Sequence, residues 1–477
     1  MKNIVVVGAG ITGLSAAYYL NKEIQTNKLP YQVVLVEATD RLGGKIQTIY
    51  RDGFVVEQGP DSWLAPKVAI TNLIKDVGLG DQLVHSKPGA VLVCAENELH
   101  SMPGGSFFGV PVNTEEFLKA ELISEAGKNR AVEDLDIPQT EIAPDEDIAM
   151  GAFFRRRLGD EMVNKLIEPL IAGIFAGNLD KMSMRALFPD FLNKEQEHGS
   201  LIAGMRAGIK AQQERAAKAP SKERPQGMPF VSVATGMTSV VQAIIEAMPE
   251  VQILKGNKVL DVVQSGERTY RIQLADGQSL HAESIVVATN HQAIPALFSG
   301  DESLRFFEEE MHSNSVVSVT MAFKKSAVKK DFDGASFIVS RTSDYGITAC
   351  AWLHKKWDHV APEDSVLVRA YVGKTGGLND AMVGLSDAAL EEIVLREVGK
   401  QVEFDGAPIF SIVNRWRESM PQYSVGHKQR VAEMREKVAL DFPGVFFTGS
   451  PIDGIGMSDC VRQAKETSDE VLEFMGK

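Results

Sequence analysis

The chain has little cysteine, no long apolar run and no excess of positive charge, and each shortage closes off a class of function. Its three cysteines, Cys94, Cys350 and Cys460, stand far apart in 477 residues and form no C-x-x-C pair. That excludes a disulfide framework and a thiolate metal site, and it fits a reducing, cytoplasmic setting. No uninterrupted apolar stretch reaches the roughly 18–20 residues that a membrane helix needs; contact of an amphipathic segment with a membrane surface, as a peripheral protein, stays open. The apolar stretch Ile4–Leu20 does not read as a secretory leader: only Lys2 precedes it, glycines interrupt it, and no small-residue cleavage pattern follows. Net charge is −14, from 50 basic and 64 acidic residues. This argues against a nucleic-acid partner and against general adhesion to anionic lipid, but not against a local basic pocket. The 9 histidines show no metal-ligand spacing, and no Ser-His-Asp, Cys-His or paired-carboxylate signature is visible, so neither a metal site nor a catalytic side chain is expected.

What is present is concentrated near the start. Lys2–Val7 is a short apolar run, followed by Gly8-Ala9-Gly10-Ile11-Thr12-Gly13 and an alanine-rich helical stretch to Leu20. A second apolar run, Gln32–Val36, ends at Glu37-Ala38, and Arg41-Leu42-Gly43-Gly44-Lys45 comes next. This is strand, glycine turn, helix, strand, acid. Gly8 permits the tight turn, Gly10 lets backbone approach a pyrophosphate, and Gly13 lets the helix lie close to the sheet. The helix N-terminus offers N–H groups and a positive dipole end to phosphates. The Glu37 carboxylate can accept hydrogen bonds from ribose hydroxyls. The reading is an α/β, Rossmann-like dinucleotide fold, with NAD and FAD both open at this point.

Further along, Ile46–Glu57 reads as a hairpin around Asp52-Gly53. Gly59-Pro60 ends that strand, and Asp61 or Ser62 is expected to cap the next helix. Thr114 to about Arg130 reads as one polar helix, and Glu133–Asp147 as an acidic surface loop. Ile148–Phe175 reads as one strong helix, kinked or restarted at Pro169. Arg155-Arg156-Arg157 inside it reads as a solvated face paired to Asp160 and Glu161. Gly208–Pro229, basic and proline-punctuated, reads as a flexible linker. Ile285–Thr289 is a buried strand suited to a parallel sheet and placed back in the sheet begun at residue 4. Near the C-terminus, Val445–Thr448, Gly449–Met457 and a helix to Met475 repeat the strand, glycine turn, helix order. The expected organisation is a discontinuous cofactor domain (1–62, 230–305 and 408–477), a mixed-sheet substrate domain (63–104 and 306–407), a helical insertion (105–207) and the linker (208–229).

Several motifs are shared with known flavoproteins. Glu37 followed by Arg41-x-Gly43-Gly44 is similar to the glycine doublet of flavin amine oxidase-type FAD proteins, as are Ala288-Thr289 after a buried strand and the late Thr448-Gly449. More specifically, Glu168-Pro169-Leu170-Ile171-Ala172-Gly173-Ile174-Phe175-Ala176-Gly177, Arg415-Trp416, Met420-Pro421-Gln422-Tyr423 and Gly454–Cys460 resemble the protoporphyrinogen/coproporphyrinogen oxidase family. Gly59–Ser62 and Arg369–Gly373 fit its Gram-positive bacterial branch, the coproporphyrinogen III oxidases. The likeness spans most of the chain and is weakest at 105–150 and 208–230.

The resemblance implies an FAD- and oxygen-dependent oxidase of a porphyrinogen in heme biosynthesis, removing six electrons in three two-electron steps with hydrogen peroxide released each time. Coproporphyrinogen III is the leading substrate. Protoporphyrinogen IX, or another flavin amine oxidase-fold oxidase or desaturase, is the alternative, and a non-enzymatic binder on the same fold is a further one. It implies non-covalent FAD and, from the resemblance alone, a ferrochelatase partner. For the cofactor it implies Gly8, Ala9, Gly10, Ile11, Thr12 and Gly13 at the pyrophosphate, Glu37 and Ala38 at the ribose, and Arg41, Gly43, Gly44 and Lys45 near phosphate or flavin. It adds Gly59, Pro60, Asp61 and Ser62 beside the ring, Val259 at the adenosine, and Trp416, Ile455, Gly456 and Met457 as walls of the isoalloxazine. For the substrate it implies a backbone carbonyl at Gly173 facing the pyrroles, with Lys67, Arg341 and Arg369 as cations for propionates.

Overall fold

The computed structural model describes residues 2–218, 230–299, 301–373 and 380–476. The chain forms two compact units, one of residues 1–86, 228–312 and 429–477, the other of 87–227 and 313–428.

The first unit is built on a five-stranded sheet in the order Gln252–Leu254, Tyr31–Val36, Lys2–Val7, Ser284–Val287, Val445–Phe447, all parallel. Ser284–Val287 pairs with Ile4–Val7 residue for residue, as its apolar run leads one to expect. The strands are buried on both faces, which explains their continuous Val/Ile/Leu composition. Alternate side chains go to opposite sides. Ile4, Val6, Val33, Leu35 and Val286 pack under helices Ile11–Asn27 and Met457–Met475. Val5, Val7, Val34, Val36, Ile285 and Val287 pack against Tyr270 and Ile272 of a three-stranded antiparallel sheet and against Val431 and Met434. Residues 63–86 belong to this unit rather than to the mixed sheet, because Phe230–Val233 pairs with both Trp63–Leu64 and Leu83–His85.

The second unit carries a seven-stranded sheet in the order Phe410–Gln422, His312–Lys324, Ser365–Val372, Ile347–Trp352, Ser336–Val339, Val91–Ala95, Glu98–Ser101. Ser336–Val339 runs parallel to Val91–Ala95 and antiparallel to Ile347–Trp352, so the sheet is mixed. Helix Asp387–Gly399 covers one face through Leu390, Val394 and Val398.

The helical part of this unit departs from the sequence reading in four places. The polar helix is two pieces, Thr114–Phe117 and Glu125–Val132, each begun by its own cap, Asn113 and Ser124. The expected helix Ile148–Phe175 is broken at Gly159, whose φ of 87° leaves the helical region. It then passes through a π-helical turn, Val163–Ile167, before Glu168–Phe175. Pro169 has no N–H to give the carbonyl four residues earlier, and the wider turn lies where that bond is missing. Helix Leu201–Lys218 runs through the first half of the expected linker; the rest, 219–229, lies outside the described residues.

The fourth departure is chemical. Arg155 does meet Asp160 at 3.0 Å, but Arg157 is fully buried, bonded to Asp134 and 3.1 Å from Glu195, both also fully buried. Asp134 further accepts from Ser200 at 2.6 Å and from the Ile202 N–H at 2.8 Å. So the arginine triplet is not one solvated face, and the acidic loop sends one carboxylate into the interior. Such a cluster is tolerated because each charge is paired and hydrogen-bonded.

Candidate functional site

A cleft of about 480 Å³ opens in the first unit where the parallel strands end. Val7-Gly8, Val36-Glu37, Ala288-Thr289 and Thr448-Gly449 reach it from the carboxyl ends of four strands. Connections leave Lys2–Val7 towards one side of the sheet and return on the other, which makes this the switch point where open α/β sheets bind ligands.

Each glycine of the turn has a different reason. Gly8 has φ +98°, and a Cβ there would lie 2.9 Å from the Ala288 carbonyl oxygen. At Gly13 a Cβ would lie 1.8 Å from the Gly8 oxygen, so the helix rests directly on the turn. Gly10 has an ordinary φ of −70°, and a Cβ there would meet no atom within 4 Å. Neither backbone strain nor packing requires glycine at 10. What remains is the space in front of it, which a side chain would take from a ligand. Gly10 starts helix Ile11–Asn27 with no side-chain cap and no acid in the first turn, so its N–H groups suit an anion.

The glycine doublet is folded onto this turn. The Gly43 N–H donates to the Ala9 carbonyl at 2.8 Å, and a Cβ on Gly44 would lie 2.9 Å from the Gly10 Cα. Arg41 donates to the Ile46 carbonyl at 2.8 Å and to the Gly44 carbonyl, so its guanidinium holds this loop in shape and does not pair with Glu37. Glu37 accepts from the Ala9 N–H at 2.8 Å and from the Thr39 N–H and hydroxyl, each at 2.9 Å. A carboxylate has about four acceptor positions, so capacity for a ribose hydroxyl remains. Lys45 lines the cleft, and burial pulls its ammonium below its ordinary value, which makes an anionic neighbour favourable.

From the other end of the chain, helix Met457–Met475 starts at Gly456, again without a side-chain cap, and Ile455, Met457 and Cys460 line the cleft. The Cys460 thiol is held above its ordinary value by burial and is therefore protonated. Pro60 lines the cleft, whereas the expected cap does not form: Ser62 donates to its neighbour Asp61 at 2.7 Å, and helix Val68–Asp76 begins after Lys67 with no side-chain cap. Val259 also lines the cleft. The sequence reading left Lys258, Asn290, Ser450 and Cys460 out of the site. Asn290 and Ser450 lie just beyond the carboxyl ends of parallel strands Ser284–Val287 and Val445–Phe447, which the rule for parallel sheets could have flagged.

The proposed substrate residues have partners of their own. The Lys67 ammonium meets Asp459 at 2.6 Å, in the first turn of helix Met457–Met475. Arg341 meets Glu168 at 2.7 Å, and that carboxylate is fully buried. Arg369 is only 3% exposed, inside the seven-stranded sheet, with its Nε 3.4 Å from the Thr320 hydroxyl. Such burial denies it the role of an accessible cation, which the sequence alone had left open. Gly173 is exposed near the end of helix Glu168–Phe175, and a Cβ on it would meet no atom within 4 Å, so packing does not explain it. Trp416 is half-buried on strand Phe410–Gln422 of the second unit. Among the described residues no group of His, Cys, Asp or Glu could hold a metal ion, and no helix is long and apolar enough to cross a membrane.

Residues 11–472 match the family of flavin containing amine oxidoreductases. The chain is 41% identical over 484 residues to the coproporphyrinogen III oxidase of Bacillus subtilis (strain 168), covering 99% of this chain and 98% of that protein. It is 37% identical to the enzyme of the same name from Staphylococcus aureus (strain NCTC 8325 / PS 47), covering 99% of each. A solved protein from Exiguobacterium sp. 255-15, provisionally assigned as a protoporphyrinogen oxidase, superposes with a TM-score of 0.86 at 34% identity, covering 99% of each chain. Reduced UDP-galactopyranose mutase, at 14% identity and a TM-score of 0.70 over 100% of this chain and 97% of its own, shares the fold. With its glycine turn, its doublet and its late helix all facing one cleft, and with a match across nearly the whole sequence, the chain belongs to the flavin containing amine oxidoreductase family.

Proposed function

We propose that this protein is an FAD-dependent coproporphyrinogen III oxidase of heme biosynthesis, converting coproporphyrinogen III and three O2 to coproporphyrin III and three H2O2. The observation that carries the reading is full-length identity of 41% with a protein of that name, combined with an intact cleft. The lack of a triad or carboxylate-pair signature in the sequence agrees with it, since bound FAD would supply hydride acceptance and reaction with oxygen, and the protein supplies orientation and electrostatics.

In this reading residues 8–13 and the start of helix Ile11–Asn27 hold the pyrophosphate. Glu37 and Ala38 hold the ribose, the Val259 backbone meets the adenosine, and Lys45 offsets negative charge. Gly59–Ser62 and Ile455–Met457 shape the ring site. Burial favours the protonated, weakly nucleophilic form of the Cys460 thiol, which supports dissociable FAD. The Gly173 carbonyl accepts from pyrrole N–H groups. Arg341, half-exposed beside Glu168, and Lys67, half-exposed beside Asp459, supply the propionate contacts. Delivery of the porphyrin to a ferrochelatase belongs to the same reading.

Initial rates of porphyrin fluorescence from coproporphyrinogen III and protoporphyrinogen IX, measured side by side on flavin-loaded protein, test it. Faster turnover of coproporphyrinogen is expected. A clear preference for protoporphyrinogen overturns the substrate, and turnover of amines with no turnover of either porphyrinogen overturns the reading as a whole.

A further inference from the structure

Helix Glu168–Phe175 is fastened at its carbonyl end by two amides from neighbouring strands. Gln422, the last residue of strand Phe410–Gln422, donates from Nε2 to the Phe175 carbonyl at 2.9 Å and to the Met420 carbonyl at 2.9 Å. Asn314, on the adjacent strand His312–Lys324, donates from Nδ2 to the Ala176 carbonyl at 2.6 Å. Ala176 itself sits at φ +49°, a left-handed conformation that costs a non-glycine residue energy and is held here by its surroundings. Gly177 is tied to the same arrangement. A Cβ there would lie 2.3 Å from the Gln422 Oε1 and 2.9 Å from the Met182 sulfur. The Gln422 orientation is fixed by chemistry, because a flipped amide would set its oxygen against two carbonyls.

The last four carbonyls of a helix have no partner within it. Gly173 is among those four. The strand amides satisfy the carbonyls of Phe175 and Ala176 and leave the position of Gly173, with open space in front of its Cα, to a ligand. We propose that Gln422, supported by Asn314, is a positioning residue for porphyrinogen oxidation. It sets the direction of the Gly173 carbonyl by clamping the end of its helix without touching the substrate itself. The inference rests on the reading of Gly173 given above. Its physical basis is that a shift of about 1 Å in an acceptor can cost on the order of a hundredfold in rate.

The test compares Gln422→Leu, Gln422→Glu, Gly177→Ala and the double variant Gly177→Ala/Gln422→Leu with the unmodified protein, all flavin-loaded. The readouts are kcat and KM for coproporphyrinogen III, flavin absorbance and melting temperature. Gln422→Leu and Gln422→Glu should each lower kcat about tenfold or more, with flavin content unchanged. Gly177→Ala should show a similar kcat loss, because its methyl displaces the Gln422 amide. The double variant should be no worse than Gln422→Leu alone, since both changes break one clamp. Wild-type kcat in the two Gln422 variants overturns the proposal, as does strict additivity of the Gly177 and Gln422 effects. Losses that follow the melting temperature across all four variants, Gln422→Glu included, also overturn it in favour of a structural role. If the unmodified protein turns over neither porphyrinogen, the functional reading fails and the clamp proposal falls with it; turnover by the unmodified protein that the Gln422 variants retain in full overturns the clamp alone.

Discussion

Gly10 and Gly13 stand three positions apart in one motif, and the structure separates their roles. Alanine at 13 drives a methyl into the Gly8 oxygen, so Gly13→Ala should lose about 1–3 kcal/mol of stability with or without cofactor. Alanine at 10 meets nothing in the protein, so Gly10→Ala should unfold within about 1 kcal/mol of the parent when flavin-free. Its defect should appear as weakened flavin uptake. Urea midpoints of the flavin-free proteins and flavin titrations check both, and a flavin affinity untouched by Gly10→Ala would remove the ligand explanation for that glycine. His291 offers a second test at this scale. It is buried just beyond cleft-lining Asn290, and burial, with minor contributions from His312 and Lys45, pushes its pKa from 6.5 down to about 4. The folded state therefore holds it neutral while the unfolded chain takes up a proton below 6.5. Stability is full above pH 6.5 and is lost as pH falls towards 4. Denaturation followed across that window should show the fall, and His291→Gln should flatten it.

At the scale of elements, local chemistry was legible where it was complete within a few residues. The Asp52-Gly53 hairpin forms as the turn signal implies, with Thr48–Arg51 facing Phe54–Glu57. Strand Lys2–Val7 and the final helix, to Met475, end where their apolar patterns end. Helix Ile148–Phe175 was not legible as its real pieces, because the break depends on a glycine in a left-handed conformation and on how a proline reshapes the preceding turn. Nor was the role of Arg157, whose partners Asp134 and Glu195 lie on other segments of the helical layer. Removing this arginine strands two buried carboxylates. Arg157→Leu should cost about 3–5 kcal/mol, read as a lower urea midpoint, whereas Arg156→Leu, on an exposed arginine, should cost far less. Equal effects from the two would return the triplet to a plain surface role.

For the whole molecule, the cleft joins the first residues of the chain to the last, so cofactor and fold are coupled. Saturating FAD should raise stability by about 2.7 kcal/mol at a hundredfold excess over its Kd, seen as a higher melting temperature. Acid precipitation should leave the yellow colour in solution, since Cys460 is buried and protonated; colour kept in the pellet would point to a covalent link.

By itself the sequence determined the parts that are local and repetitive: the parallel sheet with its two-sided apolar strands, the glycine turn, the doublet and the resemblance carried by the Gly173 and Met420–Tyr423 motifs. These depend on backbone freedom and on periodicity, which a few adjacent residues encode. Only the tertiary structure decided what the charges do. Lys67 meets Asp459 across 392 residues, Arg341 meets Glu168 across 173, and Arg369 is enclosed in a sheet. Ion pairing and burial arise from segments that meet only after folding, and a residue's type alone does not say whether its charge faces a substrate or a neighbour.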